Sequence, residues 1–557
     1  MQCQAAANNQ WDLTHIDLKT AFLQGDEYDG KRDVVCQLPP EANLPDYMGA
    51  RLKRAAYGLN DAPRLWFNRL DKHLRSYGLV PTRADRCCYV LYSDSKPTKG
   101  VHFSEFYEDK ADDITSLSYA AWNSNLGGDL SQSALHSLPR PAEANDKSRP
   151  LDIDGALELL LDPISGSKAR NKVVEGIVTI HVDDCFMCGT NKFMEAVVAR
   201  LRKDFQVGSE DKNDIMFVGQ RIRWINQGQK NGYIQVDQEK KVEELGEVSL
   251  DASLRDEQPC TPDYHKQFRS VLGQINWLQS RTQWQSCYLF SRCASACAGP
   301  KYGDLRALNK LVRKIRAEVV RLNFWTLFGL CRIVGYPDAA YRNNADKSSQ
   351  RGQTIFICEP RKEGVVNPRG SLVDYESQKI KRTVLSTTVS ELYAFMKCYG
   401  TCQFLRGLWM DMTGTIAQVH MRTDANNLVT TASTTHLPEQ KETIHMINQL
   451  RTEALSGQID DLAHVISVDC LADCLTKASA DAKYLLKAVN TGFLPNVDKH
   501  PPFRDLMKGR HKAYESVAHW VCENLECAPE VTYFLGTPVG TEIQKCLAVK
   551  DWYDAKD

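Results

Sequence analysis

The sequence predicts a mixed α/β chain of the α+β kind, divided into three or four domains. Three observations carry this. The chain has 557 residues, and a domain takes about 100–200. Hydrophobic residues make up 43% and charged residues 25%, an ordinary globular balance. Short β-branched apolar runs alternate with segments of helical period in two separate stretches, the second starting at Arg332.

Taken in order, residues 11–24 read as a strand followed by a helix start. Residues 62–77 read as an amphipathic helix with an apolar stripe of Leu65, Trp66, Leu70 and Leu74. Pro63 sits in its first turn, where a missing N–H costs nothing, and Gly78 ends it. From 93 to 172 Ser, Asp, Gly and Pro dominate, which predicts an insertion, partly disordered, with a short helix over 153–161. Residues 176–189 (GIVTIHVDDCFMCG) read as strand, acidic turn, strand. A helix over 194–205, strands over 215–225 and 232–236, and helices over 264–298 and 305–320 follow. In the second stretch, strands are expected at 332–336, 354–357 and 419–423, and helices at 390–410, 425–431 and 441–455. No tandem repeat is visible.

The formal net charge is −1. Proteins that grip a polyphosphate backbone usually carry a basic surplus, so the sum counts mildly against nucleic-acid binding. A basic cleft offset by acidic segments gives the same sum, and Glu105, Glu108, Asp109, Asp112 and Asp113 form such a segment. The 19 cysteines are scattered rather than arranged as a disulfide framework, which reads as reduced thiols in a cytoplasmic or nuclear setting. No apolar run reaches the roughly 18 residues of a membrane helix, so no membrane partner is expected. Oligomeric state is not legible.

Two sets of acids stand out. In the first, Asp183 and Asp184 are adjacent in HVDDCFMCG, at the tip of an apolar hairpin with no local basic partner. Like charges there repel, and a divalent cation removes that cost. Asp17, in HIDLKTAFLQG, is a third carboxylate at a strand end. Three such groups can hold two metal ions about 4 Å apart, which activate an attacking 3′ oxygen and stabilise a leaving pyrophosphate. Taken alone, the Asp-Asp pair is also an ordinary β-turn.

Between these segments lie AAYGLNDAPRLWFNRLDKHL (55–74) and DRCCYVLY (85–92). The order resembles the reverse transcriptase of copia-type LTR retrotransposons. That family has a DVKTAFLNG-like motif, then YGLKQAPRQW, then D-x-C-x-Y, then YVDD. The resemblance implies a right-hand polymerase palm with Asp17, Asp183 and Asp184 as magnesium (or manganese) ligands. It places Phe22 under the incoming sugar, where a ring would clash with a ribose 2′-hydroxyl, although Phe22 is also a plausible core residue. Tyr57, Gly58 and Pro63 match the segment beside template and nucleotide. His181 replaces the tyrosine of YVDD. Only sixteen residues precede Asp17, whereas the family's basic fingers lie upstream, so polymerisation by this chain alone is not expected.

The second set comprises Asp338 in RIVGYPDAAYRNN, Glu391 in KRTVLSTTVSELYAFMKC, Asp424 in VHMRTDANN and Asp473 in CLADCLTKA. Strand ends and helix starts bearing four carboxylates suit a two-metal nuclease. Individually, Asp338 reads equally as a turn residue and Asp424 as a helix cap. Together they resemble the copia-type ribonuclease H, with its GYSDADWA, ALSSTEAEY, strand-end Asp and LADIFTK. That resemblance implies a mixed five-stranded sheet with flanking helices. Residues 265–295 resemble the family's helical linker, whose Arg and aromatic side chains either meet nucleic acid or serve as core and solvated face.

The resemblance implies a division into 1–92 (first part of the palm, fingers missing), 93–172 (insertion), 173–262 (second part of the palm and a thumb-like region), 263–330 (helical connection), 331–496 (ribonuclease H-like) and 497–557 (no assigned role). The implied partners are an RNA template, a DNA primer, deoxynucleoside triphosphates and an RNA–DNA hybrid. A fingerless remnant that keeps only nuclease activity or binding is the alternative, and motif order disfavours an unrelated phosphohydrolase. No aspartic protease motif or integrase core is visible. His436, His445, Cys470 and Cys474 invite a zinc reading, but H-x8-H is not the H-x3–5-H spacing of structural zinc.

Overall fold

The computed structural model describes residues 1–28, 30, 32–37, 41, 43, 45, 48–93, 172–229, 231–360, 368–432, 443–455 and 457–495. The interior of the expected insertion with its short helix, the C-terminal extension and His436 lie outside the described residues.

Helix α1 (Gln2–Asn9) leads into β1 (Asp12–Leu18) and a 3-10 turn (Ala21–Gln24). Then come β2 (Val35–Gln37), β3 (Gly49–Arg51), α2 (Ala62–Ser76), β4 (Val80–Pro81), β5 (Cys88–Tyr92), β6 (Val174–His181), β7 (Asp184–Gly189), α3 (Asn191–Asp204) and β8 (Val207–Lys212). One sheet of six strands results, ordered β4-β5-β6-β7-β1-β8. Its first face is covered by α2 and α3, through Trp66, Leu70, Leu74, Phe193, Val197 and Leu201. Burying side chains of this size stabilises by about 1.5–3 kcal/mol each. Helix α3 approaches closely because two strand positions lack side chains. A Cβ on Gly176 would lie 2.2 Å from the Phe193 ring, and one on Gly189 would lie 2.4 Å from it.

The expected strand over 215–225 is instead a hairpin, β9 (Asp214–Phe217) and β10 (Gln220–Ile225). Gly219, at φ 69°, and Val218, at φ 48°, make the turn, and the apolar run hid it. Strands β11 (Tyr233–Asp237) and β12 (Leu322–Trp325) complete a second sheet, ordered β12-β11-β10-β9. After α4 (Glu239–Glu243), the single long helix expected over 264–298 is two, α5 (Pro262–Gln279) and α6 (Cys287–Ser295), broken by a tight turn at 280–286. Helix α7 (Tyr302–Ala317) packs with them around Phe268, Ile275, Leu305, Leu308 and Val312.

A third sheet holds β13 (Arg332–Ala340), β14 (Gln350–Cys358), β15 (Gly370–Lys379), β16 (Gln418–Thr423) and β17 (Asp461–His464), in the order β15-β14-β13-β16-β17. The pairs β14–β15 and β13–β14 are antiparallel, and β13–β16 and β16–β17 are parallel. Helix α8 (Thr387–Thr413) lies across this sheet. It starts on the Ser386 side chain, which accepts from the Val389 N–H, and stops at Gly414 with φ 70°. Helices α9 (Asn426–Ala432), α10 (Ile444–Leu455) and α11 (Lys483–Thr491) flank it. The mixed five-stranded sheet read from the motifs is therefore the one observed.

The first and third sheets meet through α1 and through the far end of α8. The fully buried Ala5, Ala6 and Ala7 of α1 share one hydrophobic cluster with Phe186 and Cys188 of β7, Trp325 of β12 and Tyr336 of β13. Gln2 Nε2 donates to the Phe186 carbonyl at 3.1 Å and Gln4 Nε2 to the Trp325 carbonyl at 2.8 Å. Alanine supplies both helix propensity and a narrow face for that slot. Near the far end of α8, the buried Asp411 accepts the Arg83 backbone N–H at 2.9 Å and pairs with its guanidinium at 3.0 Å.

Candidate metal centres

The first acids stand on a hairpin whose register brings them together. Asp17 of β1 is the direct cross-strand partner of Asp184 of β7, and the Leu18 N–H donates to the Asp183 carbonyl at 3.0 Å. Directly opposed residues in an antiparallel pair have Cα atoms about 4.5–5.5 Å apart. At the tip, Val182 has φ 59°, a left-handed conformation that a β-branched residue rarely adopts and that costs on the order of 1–3 kcal/mol. The buried Trp66 holds this turn, its Nε1 donating to the Val182 carbonyl at 2.6 Å. Burial, together with the nearby Asp184 and Asp17 charges, pushes the Asp183 carboxyl up.

Two of these acids also meet neighbours outside the trio. Asp184 Oδ1 lies 2.8 Å from His15 Nε2, and the other His15 nitrogen is 3.8 Å from Asp211 Oδ2. Asp17 lies against β8, where a Cβ on Gly208 would come within 2.1 Å of its Oδ2. Sequence reasoning missed both neighbours. The period of two placed His15 on the same face as Asp17; Gly208 carried no signal of its own. Phe22 is half-buried and its ring centroid is 4.8 Å from that of Tyr57, which is exposed. Gly58 turns the chain at φ 92°, and Pro63 opens α2.

In the third sheet the four acids come from four different elements. Asp338 lies on β13 opposite Gly352 and is 1% exposed. Glu391 is on the second turn of α8 and 9% exposed, and its Oε2 has no hydrogen-bond partner. Asp424 follows the end of β16, and Asp473 starts a 3-10 turn over Asp473–Leu475. Lys477 Nζ pairs with Asp473 and lies 3.9 Å from Asp338 Oδ2. The Thr476 hydroxyl donates to Asp338 Oδ2. Burial first, and then the neighbouring carboxylates, push the Asp338 and Glu391 carboxyls well above the usual range. Among the described residues, Asp338, Asp424 and Cys470 form the one group of three potential ligands whose donor atoms all lie within 4.8 Å of one another.

Helix α6 supports this site from outside the sheet. The Asn343 amide donates to the Thr476 carbonyl at 2.6 Å and reaches the Tyr288 hydroxyl at 3.4 Å. The Gln350 amide donates to Ser291 Oγ at 3.1 Å and to Ser377 Oγ at 2.9 Å, and Ser377 donates to the Leu475 carbonyl at 2.5 Å. Of the linker aromatics, Phe268, Trp284 and Tyr288 are buried, whereas Trp277 is 38% exposed beneath Arg281. His445 is exposed on α10, and Cys470 lies with Asp338 and Asp424.

An acidic hairpin on a six-stranded sheet, joined through helices to an acid-bearing mixed five-stranded sheet, defines the class: a polymerase palm-like unit followed by a ribonuclease H-like unit. No family model matches the chain. In sequence a short stretch is similar to retrovirus-related Pol polyproteins from transposons. It is 36% identical over 89 residues to the polyprotein from transposon RE2 of Arabidopsis thaliana, covering 15% of this chain and 6% of that one. It is 31% identical over 86 residues to the polyprotein from transposon TNT 1-94 of Nicotiana tabacum, with the same shares. The matches thus span only a small part of these relatives' length. Among solved structures, a foamy viral protease-reverse transcriptase in complex with RNA/DNA hybrid aligns at a TM-score of 0.40 and 11% identity, over 83% of this chain and 45% of that one. LC11-RNase H1 in complex with RNA/DNA hybrid aligns at 0.20 and 16% identity, over 28% of this chain and 99% of that one.

Proposed function

We propose that the chain is the reverse transcriptase and ribonuclease H region of a retrotransposon Pol polyprotein, and that its third sheet cleaves the RNA of RNA–DNA hybrids with magnesium or manganese. The observation that carries this is the buried Glu391, whose Oε2 has no partner, facing Asp338 and Asp424. Uncompensated buried carboxylates are costly. Lys477 supplies one positive charge against the four acids Asp338, Glu391, Asp424 and Asp473, which leaves a deficit that divalent cations fit. These four acids would hold the ions, which would supply an activated water and stabilise the leaving 3′ oxygen.

The chain's own groups have separate tasks. Thr476 fixes the Asp338 carboxylate and Lys477 holds Asp473. Helix α6 fixes the turn that carries Thr476 and Lys477. Substrate choice follows hybrid shape and the 2′-hydroxyls, with little sequence readout. For the palm, the same reading assigns Asp17, Asp183 and Asp184 to nucleotidyl transfer, Phe22 to sugar discrimination, and Tyr57, Gly58 and Pro63 to template and nucleotide contact.

A second reading, a palm that binds but does not polymerise, draws support from the Asp184–His15 pair. Labelled hybrid with the whole chain in magnesium or manganese, beside Asp424→Asn, tests the nuclease. A folded wild type that leaves the hybrid intact refutes it. Extension of a DNA primer on poly(rA) by the same preparation decides between the two palm readings.

A further inference from the structure

We propose that the acid cluster of the third sheet is also a thiol-bearing site, in which Cys470 joins Asp338 and Asp424 to bind thiophilic divalent ions such as zinc, and that zinc bound there blocks the site. Binding follows from geometry alone; inhibition rests on the nuclease reading. The donor atoms of Asp338, Asp424 and Cys470 lie within 4.8 Å of one another. Zinc bonds of about 2.0–2.3 Å in tetrahedral geometry place ligand atoms about 3.3–3.8 Å apart, so an inward shift of about 1–1.5 Å closes the set. Asp338 and Cys470 are buried, at 1% and 3% exposure, while Asp424 is half-buried.

Independently of the cysteine, the Glu391 Oε2 is orphaned within a side chain nine-tenths buried, where the Asp338 and Asp424 charges act on it. A cavity of about 160 Å³ lined by Cys470, Asp473, Cys474 and Tyr484 adjoins the cysteine. In the metal-free protein the thiol faces the Pro337 carbonyl at 3.5 Å. On binding, the S–H bond breaks, a sulfur–metal bond forms and the proton leaves to buffer. A hard cation gains little from that exchange, whereas zinc gains a thiolate. The cluster therefore discriminates between ions by softness, which four carboxylates alone would not do.

Cobalt reports the sulfur directly, because thiolate ligation gives a near-ultraviolet charge-transfer band that carboxylates do not. The whole chain is titrated with cobalt(II) alone, then competed with zinc. The variants are Cys470→Ser, Asp424→Asn and, as an exposed-thiol control, Cys36→Ser. The band is expected in wild type and Cys36→Ser and absent in both cluster variants. Cys470→Ser should weaken zinc by at least the roughly 10–100-fold that outer-shell partners are worth. The zinc concentration that halves magnesium-supported hybrid cleavage should rise by the same factor. A band that persists in folded Cys470→Ser, or survives in Asp424→Asn, overturns the site. A band that behaves as expected in a protein that never cleaves hybrid upholds the site and refutes the nuclease reading instead.

Discussion

Replacing Thr476 by Val removes one proton donor from the acid cluster of the third sheet and little else. The Thr476 hydroxyl is fully buried and donates to Asp338 Oδ2, and Asp338 is itself 1% exposed, so no bulk water replaces the lost bond. A hydrogen bond to a charged acceptor contributes about 1.5–3 kcal/mol. At about 1.4 kcal/mol per tenfold, metal affinity should fall about tenfold to about 150-fold. The hydroxyl has one proton and also lies 3.0 Å from the Asp473 carbonyl, and the charged acceptor should take it. Manganese binding is measured by calorimetry on the whole chain, with hybrid cleavage followed across a magnesium series. Thr476→Val should need correspondingly more metal for half-maximal cleavage, and Thr476→Ser should restore wild-type behaviour. A Thr476→Val protein that binds manganese as wild type does, or a Thr476→Ser protein as impaired as Thr476→Val, refutes the positioning role.

The pH dependence of stability has a definite sign. The folded-state carboxyls of Asp338 and Glu391 lie above their unfolded values of 3.8 and 4.5, so the folded state binds more protons and stability falls as pH rises. In chelator, the melting temperature should drop from about pH 5 to about pH 8, and saturating manganese should flatten the slope; a rise over that window in chelator contradicts the burial of these acids. Gly176→Ala puts a Cβ 2.2 Å from the Phe193 ring, and urea unfolding should show a loss of about 1–3 kcal/mol from overpacking; an unchanged midpoint would mean that α3 moves freely.

The elements with strong periodicity were legible. Residues 62–77 gave α2 because Leu, Trp and Leu recur at helical spacing after an N1-region proline, and 176–189 gave the β6–β7 hairpin. Strand β15 was missed because its residues, GSLVDYESQK, carry polar side chains that tertiary partners satisfy, such as Asp374 bonded to Gln353 and Glu376 to Arg351. Helix α1 was missed because its stripe is alanine, which scores weakly as apolar yet is fully buried. The acids themselves could be read as strand-end and helix-start residues. Their neighbours could not: Thr476, Asn343 and Ser377 are polar side chains of no distinctive spacing, and only the fold brings α6 beside the 473–477 turn. Cys470 likewise drew attention for a histidine pairing, whereas the sheet aims it at Asp338 and Asp424.

Cleavage of a labelled RNA–DNA hybrid by the whole chain, in magnesium and in manganese, beside Asp424→Asn, tests the central assignment most directly. Asp424 is half-buried after β16, so the amide should fold as wild type does while lacking one charge at the metals. Wild type should cut the RNA strand in either ion and leave the DNA strand whole, and Asp424→Asn should cut at a small fraction of that rate. Equal cleavage by the two proteins, or none by a folded wild type, would contradict it.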